Sequence, residues 1–302
     1  MRMSRALIIV ALIVAVVVAW ELVRAIRAYR IERMTLFPPR GPVAAPPDSA
    51  ALGLIDVEFR SRDSVALRGW YLPSRNGAAI ILVHGSGSDR SSVLPELRLL
   101  GEDGFGILAF DLPGHGASDG HVHFGLPPVK AVEGAVDFLV ERRDIHDGQI
   151  GVAGFSYGGA IVARAAAQDC RMRVVALVST PADAITQTQA EYAPYGRAAQ
   201  FGAFAVYQVR GINLESERPV DYVGKIAPRP LLIVGGAEDA TVPLSETRRL
   251  YAAAGDPKLF VLIPHGTHGQ FAEVDSSYAN TLANFFKSNL HGPPASATDC
   301  LR

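Results

Sequence analysis

The stretch of sequence that decides the fold is Gly154-Phe155-Ser156-Tyr157-Gly158. It follows an apolar run at 149–153 that is typical of a buried strand, and it opens a run of small residues at 158–167 that we predict to be a helix. A serine on the turn between a strand and a helix, with a glycine two residues to each side, is the pattern of a nucleophile elbow. In so sharp a turn, side chains at the two glycine positions would collide with neighbouring backbone. The serine is therefore predicted to adopt a strained conformation that exposes its hydroxyl group.

Short strands and helices alternate on either side of this stretch. Alternating or continuous apolar runs predict strands at 55–60, 66–72, 78–83, 105–110, 149–153, 174–178, 230–234 and 259–263. The segments between them predict helices at 94–101, 129–143, 158–167, 244–254 and 276–289. This alternation is typical of a mostly parallel sheet with helices on both faces, while the first two strands indicate an antiparallel hairpin. We therefore predict an α/β fold.

The N-terminal region differs from the rest of the chain. Arg2 and Arg5 precede an uncharged run at 6–20, which as a helix would reach only about 22 Å, short of the roughly 30 Å hydrocarbon core of a bilayer. Continuation of the helix past Glu21 to Ile26 gives it the length of a tilted span. We expect a single-pass membrane anchor. The alternatives are a signal peptide whose cleavage leaves a secreted protein, and a buried helix of the core, which the lack of a polar face disfavours.

Composition divides the chain into four parts. We predict a hydrophobic anchor and basic helix at 1–33, a proline-rich linker at 34–53, an α/β domain at 54–290 and a flexible tail at 291–302. The connection at 181–228 is long for a link between two strands, and we expect it to form a small helical cap over the active end of the sheet. A shortened protein that begins near Ala44 is expected to be soluble and active.

Charge and cysteine content exclude several classes of function. The chain of 302 residues has 29 basic and 30 acidic residues, a net charge of -1, so we expect no nucleic-acid partner. Cys170 and Cys300 show neither the spacing of a metal site nor a disulfide framework. We therefore expect no metal and no cofactor.

Two further residues complete the chemistry that a serine nucleophile needs. A serine hydroxyl is a poor nucleophile until a base takes its proton, and the base needs a third group to orient it. In this kind of architecture the chain order is serine, then an acid, then histidine. Asp239 follows the strand at 230–234 and His268 follows the strand at 259–263. Because both lie on loops at the carboxyl ends of strands, we predict that Ser156, Asp239 and His268 form a catalytic triad.

Each of these assignments has an alternative. Glu238 or Asp183 could supply the acid, and His265 could be the base. Ser156 could also be no more than a turn serine.

Negative charge that develops on a carbonyl oxygen during attack requires two hydrogen-bond donors. We predict the backbone N–H of Tyr157 as one donor and the backbone N–H of Ser86 as the other, with Gly87 as the alternative to Ser86. His84 is expected to be a structural residue rather than a base. The loop 111–118 is expected to border the site structurally, with Asp111 and His115 as a rival catalytic pair.

Four motifs together resemble the α/β-hydrolase superfamily over 54–290. They are His84-Gly85-Ser86-Gly87, the loop 111–118, Gly154-Phe155-Ser156-Tyr157-Gly158, and the Asp239 and His268 loops. The resemblance implies an eight-stranded, mostly parallel sheet whose first two strands are antiparallel. The anchor, the linker and the segment 235–243 are similar to membrane-tethered serine hydrolases of the dienelactone-hydrolase and prolyl-oligopeptidase-like branch.

The function that we expect is hydrolysis of small carboxylic esters through an acyl-enzyme. The region 181–228 is aromatic-rich and is expected to line a mostly apolar pocket for short to medium acyl chains. Its five aromatic residues are Tyr192, Tyr195, Phe201, Phe204 and Tyr207. The alternatives are a lipase or thioesterase, a peptidase or acyl-aminoacyl hydrolase, and, from another class, a non-catalytic binding protein on the same fold.

Overall fold

An eight-stranded sheet forms the centre of the protein. The computed structural model describes residues 5–38, 40–269 and 271–290, so Arg2 and the predicted tail at 291–302 lie outside the described residues. The strands are β1 (Ile55–Arg60), β2 (Ala66–Leu72), β3 (Ala79–Val83), β4 (Gly106–Phe110), β5 (Ile150–Phe155), β6 (Met172–Val178), β7 (Leu231–Gly236) and β8 (Lys258–Ile263). They lie side by side in the order β1-β2-β4-β3-β5-β6-β7-β8.

The pairing of the strands confirms the predicted topology. β1 pairs antiparallel with β2, and β2 pairs antiparallel with β4. All the remaining pairs are parallel, and the register places Val83 at the end of β3 opposite Gly154 near the end of β5. The five residues of β3 are all buried, as its unbroken apolar run predicts for a strand covered on both faces.

Helices cover both faces of the sheet. They are α1 (Arg5–Leu36), α2 (Ser49–Leu52), α3 (Leu94–Glu102), α4 (Leu126–Val140), α5 (Tyr157–Gln168), α6 (Ala184–Tyr192), α7 (Arg197–Val209), α8 (Leu244–Ala253), α9 (Phe271–Val274) and α10 (Ser276–Leu290). The helices α4, α5 and α8 contribute to the core on one face, and α3 and α10 contribute to the core on the other. Between β6 and β7 lie α6, α7 and several short 3₁₀ turns.

The first helix has two halves with different surroundings. The segment Leu7–Leu36 is long and apolar enough to cross a membrane, and its apolar window is unburied. Thirty residues of helix measure about 45 Å, whereas about 20 residues cross a bilayer, so the first two thirds of this segment are sufficient for a span. The helix ends three residues beyond the predicted boundary at 33.

The second half of α1 packs against α7. Ala28 is buried in a cluster with Ala199 and Ala203, and Leu36 is buried in a cluster with Val206. The helices approach so closely that a Cβ atom on Gly202 of α7 would lie 2.0 Å from the Ala25 carbonyl oxygen. The part of the chain predicted as a basic helix apart from the α/β domain is therefore packed against it.

The disulfide bond of Cys170 was not predicted from the sequence. Cys170 is disulfide-bonded, although the sequence shows no disulfide framework. Cys300, the other cysteine of the sequence, lies outside the described residues.

Candidate active site

Ser156 lies on the turn between β5 and α5 in a strained conformation. Its φ is 53° and its ψ is -119°, in the region that side chains other than glycine rarely adopt. A Cβ atom on Gly154 would lie 2.6 Å from the Gly158 carbonyl oxygen, and a Cβ atom on Gly158 would lie 2.4 Å from the Val83 and His84 carbonyl oxygens. The predicted reason for both glycines is therefore confirmed. The turn is held by the Ser156 N–H, which donates to the Val178 carbonyl at 2.8 Å.

A chain of hydrogen bonds joins the three predicted triad residues. The Ser156 Oγ lies 3.0 Å from Nε2 of His268. The Nδ1 of the same imidazole lies 2.9 Å from Oδ2 of Asp239 and 3.1 Å from its Oδ1. Since Nδ1 faces a carboxylate, it carries the proton in the neutral ring, and Nε2 is then free to accept the serine proton.

The loop after β7 holds the Asp239 carboxylate in place. Its Oδ1 accepts hydrogen bonds from the backbone N–H groups of Thr241 at 2.9 Å and Val242 at 2.8 Å. The residue is buried, with 6% of its surface exposed. A fixed, buried carboxylate is the arrangement that orients a histidine and stabilises the imidazolium form during reaction.

The alternative acids and the alternative base make other contacts. Glu238 pairs with Nδ1 of His265 at 2.9 Å, and both side chains are exposed to solvent, 57% and 91% respectively. Asp183 caps α6 by accepting from the Thr186 N–H at 2.7 Å, and it forms an ion pair with Arg249 at 2.8 Å. None of these hydrogen bonds involves Ser156.

His84 is part of the scaffold that supports the site. The Leu112 N–H donates to its Nε2 at 3.0 Å, so the ring proton is on Nδ1, which donates to the Gly85 carbonyl at 2.7 Å. Complete burial lowers the pKa of His84 to about 4, which keeps the imidazole neutral. With both nitrogens engaged by backbone groups, the ring is not available as a base, in agreement with the structural role predicted from the sequence.

The rival pair in the loop 111–118 is also structural. The buried Asp111 carboxylate accepts hydrogen bonds from the backbone N–H groups of Arg90 and Ala117, both at 2.8 Å, and it pairs with the Arg90 guanidinium. Burial raises the pKa of Asp111 and lowers the pKa of His115 to about 4. These contacts fix the loop that supports the carboxyl end of β3 and β4.

Two cavities meet at Ser156. The helix-side cavity has a volume of about 220 Å³ and is bounded by residues of α1, α6 and α7; the loop-side cavity has a volume of about 410 Å³ and is bounded by residues of 82–96 and by Gly269. Ser86, Ser156 and His268 line both. Tyr157, whose N–H is a predicted oxyanion donor, is the first residue of α5 and lines the helix-side cavity.

The helix-side cavity has the mostly apolar lining that we expected, but few of the five predicted aromatic residues contribute to it. Of the five aromatic residues, only Tyr192 and Tyr207 line it. Phe201 is 70% exposed, and Phe204 and Tyr195 border other cavities. Three carboxyl groups take part in the lining instead, those of Glu32, Glu191 and Glu217.

Burial shifts the titration of these carboxyl groups. Desolvation raises the pKa of Glu32 to about 7 and also raises the pKa values of Glu191 and Glu217. The Tyr207 hydroxyl donates to Oε2 of Glu32 at 2.7 Å and opposes part of the shift. The cavity therefore holds one acid, Glu32, whose charge changes near neutral pH.

The sequence analysis missed the contribution of α1 to this site. Ile31, Glu32 and Thr35 of α1 line the cavity that contains the Ser156 hydroxyl. The signal available in the sequence was the spacing of four residues that separates Ala28, Glu32 and Leu36, all of which are buried. In the parts of the chain that the structure describes, no cluster of histidine, cysteine and acidic residues could hold a metal ion.

The chain matches one family of known proteins and is similar to several individual proteins. Residues 80–224 match the alpha/beta hydrolase family. The uncharacterized protein YfhR of Escherichia coli O157:H7 is 29% identical over 244 residues, which cover 78% of this chain and 81% of YfhR. The thiohydrolase aneE of Aspergillus aculeatus is 34% identical over 125 residues, 40% of this chain and 39% of aneE. Among solved structures, the Pyrococcus furiosus esterase Pf2001 superposes with a TM-score of 0.71 at 22% identity, covering 84% of this chain and 98% of the esterase.

Proposed function

Because the chain belongs to the α/β-hydrolase superfamily, we propose that it is a serine hydrolase that cleaves carboxylic esters through an acyl-enzyme intermediate. The observation that carries the proposal is the continuous hydrogen-bonded chain from Ser156 through His268 to Asp239. Two of the proteins named above, the thiohydrolase aneE and the esterase Pf2001, are hydrolases by name, which supports the proposal.

The proposed reaction proceeds in two steps. His268 Nε2 takes the hydroxyl proton while Ser156 Oγ forms a bond to the ester carbonyl carbon, and the protonated imidazole then gives that proton to the departing alcohol. The acyl-enzyme is hydrolysed when water, deprotonated by the same nitrogen, attacks the carbonyl carbon; the bond to Oγ then breaks as Nε2 returns the proton to Oγ, which releases the acid and restores the serine. The proposed N–H donors of Tyr157 and Ser86 stabilise the oxyanion in both steps.

The size of the helix-side cavity supports small substrates. About 220 Å³ lies below the usual range of drug-sized ligand pockets, which suits a short to medium acyl group. The partial likeness to a thiohydrolase favours thioesters as a second class of substrate, since the same nucleophile and oxyanion donors serve both. We further propose that the unburied apolar first part of α1 anchors the enzyme in a membrane.

Labelling by a fluorophosphonate probe tests the nucleophile. The purified wild-type protein should be labelled and should hydrolyse p-nitrophenyl butyrate, and Ser156→Ala should lose both properties while keeping its melting temperature. Loss of the triad nucleophile costs on the order of 10⁴ to 10⁶ in rate. Hydrolysis by Ser156→Ala above about a tenth of the wild-type rate would contradict the proposal. A series from p-nitrophenyl acetate to palmitate then locates the preferred acyl length.

A further inference from the structure

The membrane-proximal helix contributes a carboxyl group to the catalytic cavity. Glu32 is only 5% exposed although it lies in α1, and it lines the same helix-side cavity as the Ser156 hydroxyl. Its carboxyl group accepts a hydrogen bond from the Tyr207 hydroxyl at 2.7 Å. The helix therefore places an acid inside the cavity that receives part of the substrate.

A second acid lies beside the first without a countercharge. Glu191 accepts a hydrogen bond from the Gln187 side-chain amide at 2.7 Å, and its charge raises the pKa of Glu32. Neither Glu32 nor Glu191 forms an ion pair within the described ranges. The third acid of the cavity, Glu217, has Arg164 at 3.7 Å.

His268 is the one basic side chain among the described residues that line the cavity, and it carries a positive charge only when it is protonated. None of these residues is lysine or arginine. Arg24 and Arg27 border an adjoining cavity of about 510 Å³, and Arg24 is paired with Glu21 at 3.1 Å. The Tyr192 hydroxyl is close enough to Glu32 to lower its pKa slightly, yet it is buried without a hydrogen bond of ordinary length in the described part of the chain.

Buried carboxylates without a countercharge are unstable in the ionised form. Each loses hydration that a neutral amide or hydroxyl donor replaces only in part, and the two like charges repel each other. A cationic group placed between them would supply the missing charge, and the rings of Tyr192 and Tyr207 would add a cation–π attraction. An anionic group would face three acids, with no lysine or arginine among the described residues of the lining.

We propose that the helix-side cavity binds a cationic substituent of the substrate, and that Glu32 is the residue of α1 that determines this specificity. The inference rests on the proposed ester hydrolysis, because the cavity receives a substrate only if Ser156 is the nucleophile. The substrate class is accordingly a small ester that carries an ammonium group in its acyl or alcohol part.

The preference for a cation is expected to depend on pH. Glu32 faces Tyr207 of α7 and both Glu191 and Tyr192 of α6, and its pKa is about 7. Between pH 6 and pH 8.5 its ionised fraction rises about tenfold. Protonation of His268 lowers kcat/KM equally for two esters that differ only in charge. Its effect therefore cancels in the ratio of their kcat/KM values, and the ratio reports on the charge of the cavity.

The experiment compares esters of equal shape and different charge on the full-length protein. One pair carries the charge in the acyl part, as p-nitrophenyl esters that end in a trimethylammonium group or in its tert-butyl isostere. The second pair carries it in the alcohol part, as choline butyrate and its carbon isostere. In at least one pair, wild-type kcat/KM should favour the cation by about tenfold, or about 1.4 kcal/mol, at pH 8.5. That ratio should fall toward one at pH 6, and a p-nitrophenyl ester ending in a carboxylate should be the poorest substrate.

Glu32→Gln removes the charge and keeps the shape, so its charge ratio should stay near one at every pH. Glu238→Gln is the matched control, because it neutralises an exposed carboxyl group that does not line the cavity. Ratios near one in wild type for both pairs would overturn the inference, and so would an undiminished ratio in Glu32→Gln. A rise in the melting temperature of the wild-type protein with choline, and none with its carbon isostere, would support cation binding even if Glu32→Gln fails to fold. Failure to hydrolyse any ester would count against the proposed function instead.

Discussion

Removal of the second half of α1 tests whether the packing of this helix on α7 is needed for stability and activity. We compare a shortened protein that begins at Val23 with one that begins at Phe37. The second protein keeps Arg40, which donates to the Ser118 carbonyl at 2.6 Å, and so loses only α1. From the sequence alone, a protein beginning near Ala44 was expected to be soluble and active.

The magnitude follows from the contacts that α1 makes. Burial of the Leu36 side chain is worth about 1.5–3 kcal/mol. The hydrogen bond between Tyr207 and Glu32 is of the kind worth about 1.5–3 kcal/mol when the acceptor is charged. The loss of about 3–6 kcal/mol is large beside a total stability of about 5–15 kcal/mol. For a domain of this size it corresponds to a decrease in melting temperature of about 6–24 °C.

The assay is thermal unfolding by circular dichroism together with kcat/KM on p-nitrophenyl butyrate. The protein that begins at Val23 should retain both properties, because it keeps Ile31, Glu32 and Thr35 in the cavity wall. The protein that begins at Phe37 should melt lower and lose most of its activity, because the cavity opens on that side. Melting temperatures within about 2 °C of each other, with kcat/KM within twofold, would refute the packing argument.

Three further outcomes are expected. Asp239→Asn should lower kcat by about 10⁴-fold by favouring the wrong imidazole tautomer, whereas the exposed Glu238→Gln should change kcat/KM less than threefold; equal effects in steady-state kinetics would contradict the assignment. Gly158→Ala should cost about 1–3 kcal/mol of unfolding free energy and impair activity, since its Cβ atom would meet backbone oxygens at 2.4 Å; urea titration measures this, and a neutral result would show that the turn can relax. Glu32 has a raised pKa in the folded protein, so its contribution to stability is present below its ordinary pKa of 4.5 and is lost as pH rises through about 7. The unfolding free energy of wild type relative to Glu32→Gln should therefore fall by about 2 kcal/mol from pH 5 to pH 7, and a difference that is constant with pH would count against the burial of this acid.

Most of the fold could be predicted because its signals are local. The bounds of β1 and β2 agree with the prediction to the residue, since the alternation of polar and apolar residues that predicts a strand is a local pattern. The mostly parallel order of the sheet follows from the alternation of strands and helices, since parallel neighbours need a crossover between them. The close approach of neighbouring backbone to Gly154 and Gly158 was predicted from the sharpness of a single turn.

The approach of Asp239 and His268 to Ser156 was also predictable, as carboxyl ends of parallel strands share one edge of the sheet. The choice between Glu238 and Asp239 was left open by the sequence, because neighbouring residues on a loop differ only in the direction that the folded backbone gives them. Tertiary structure places one carboxyl group inside and leaves the other in solvent.

The sequence by itself determined the strands, their mostly parallel arrangement, and the loops that carry the proposed triad, because each of these signals comes from residues close together in the chain. Only the tertiary structure decided which residues line the helix-side cavity. Glu32 lies among arginines in a helix whose composition indicates a membrane anchor, and its four-residue spacing from Ala28 and Leu36 does not show which surface it packs against. Its partner Tyr207 is 175 residues away, and the two meet because α1 packs tightly on α7 at Gly202. A contact over that separation depends on the shapes of both surfaces, which a local pattern of polar and apolar residues does not encode.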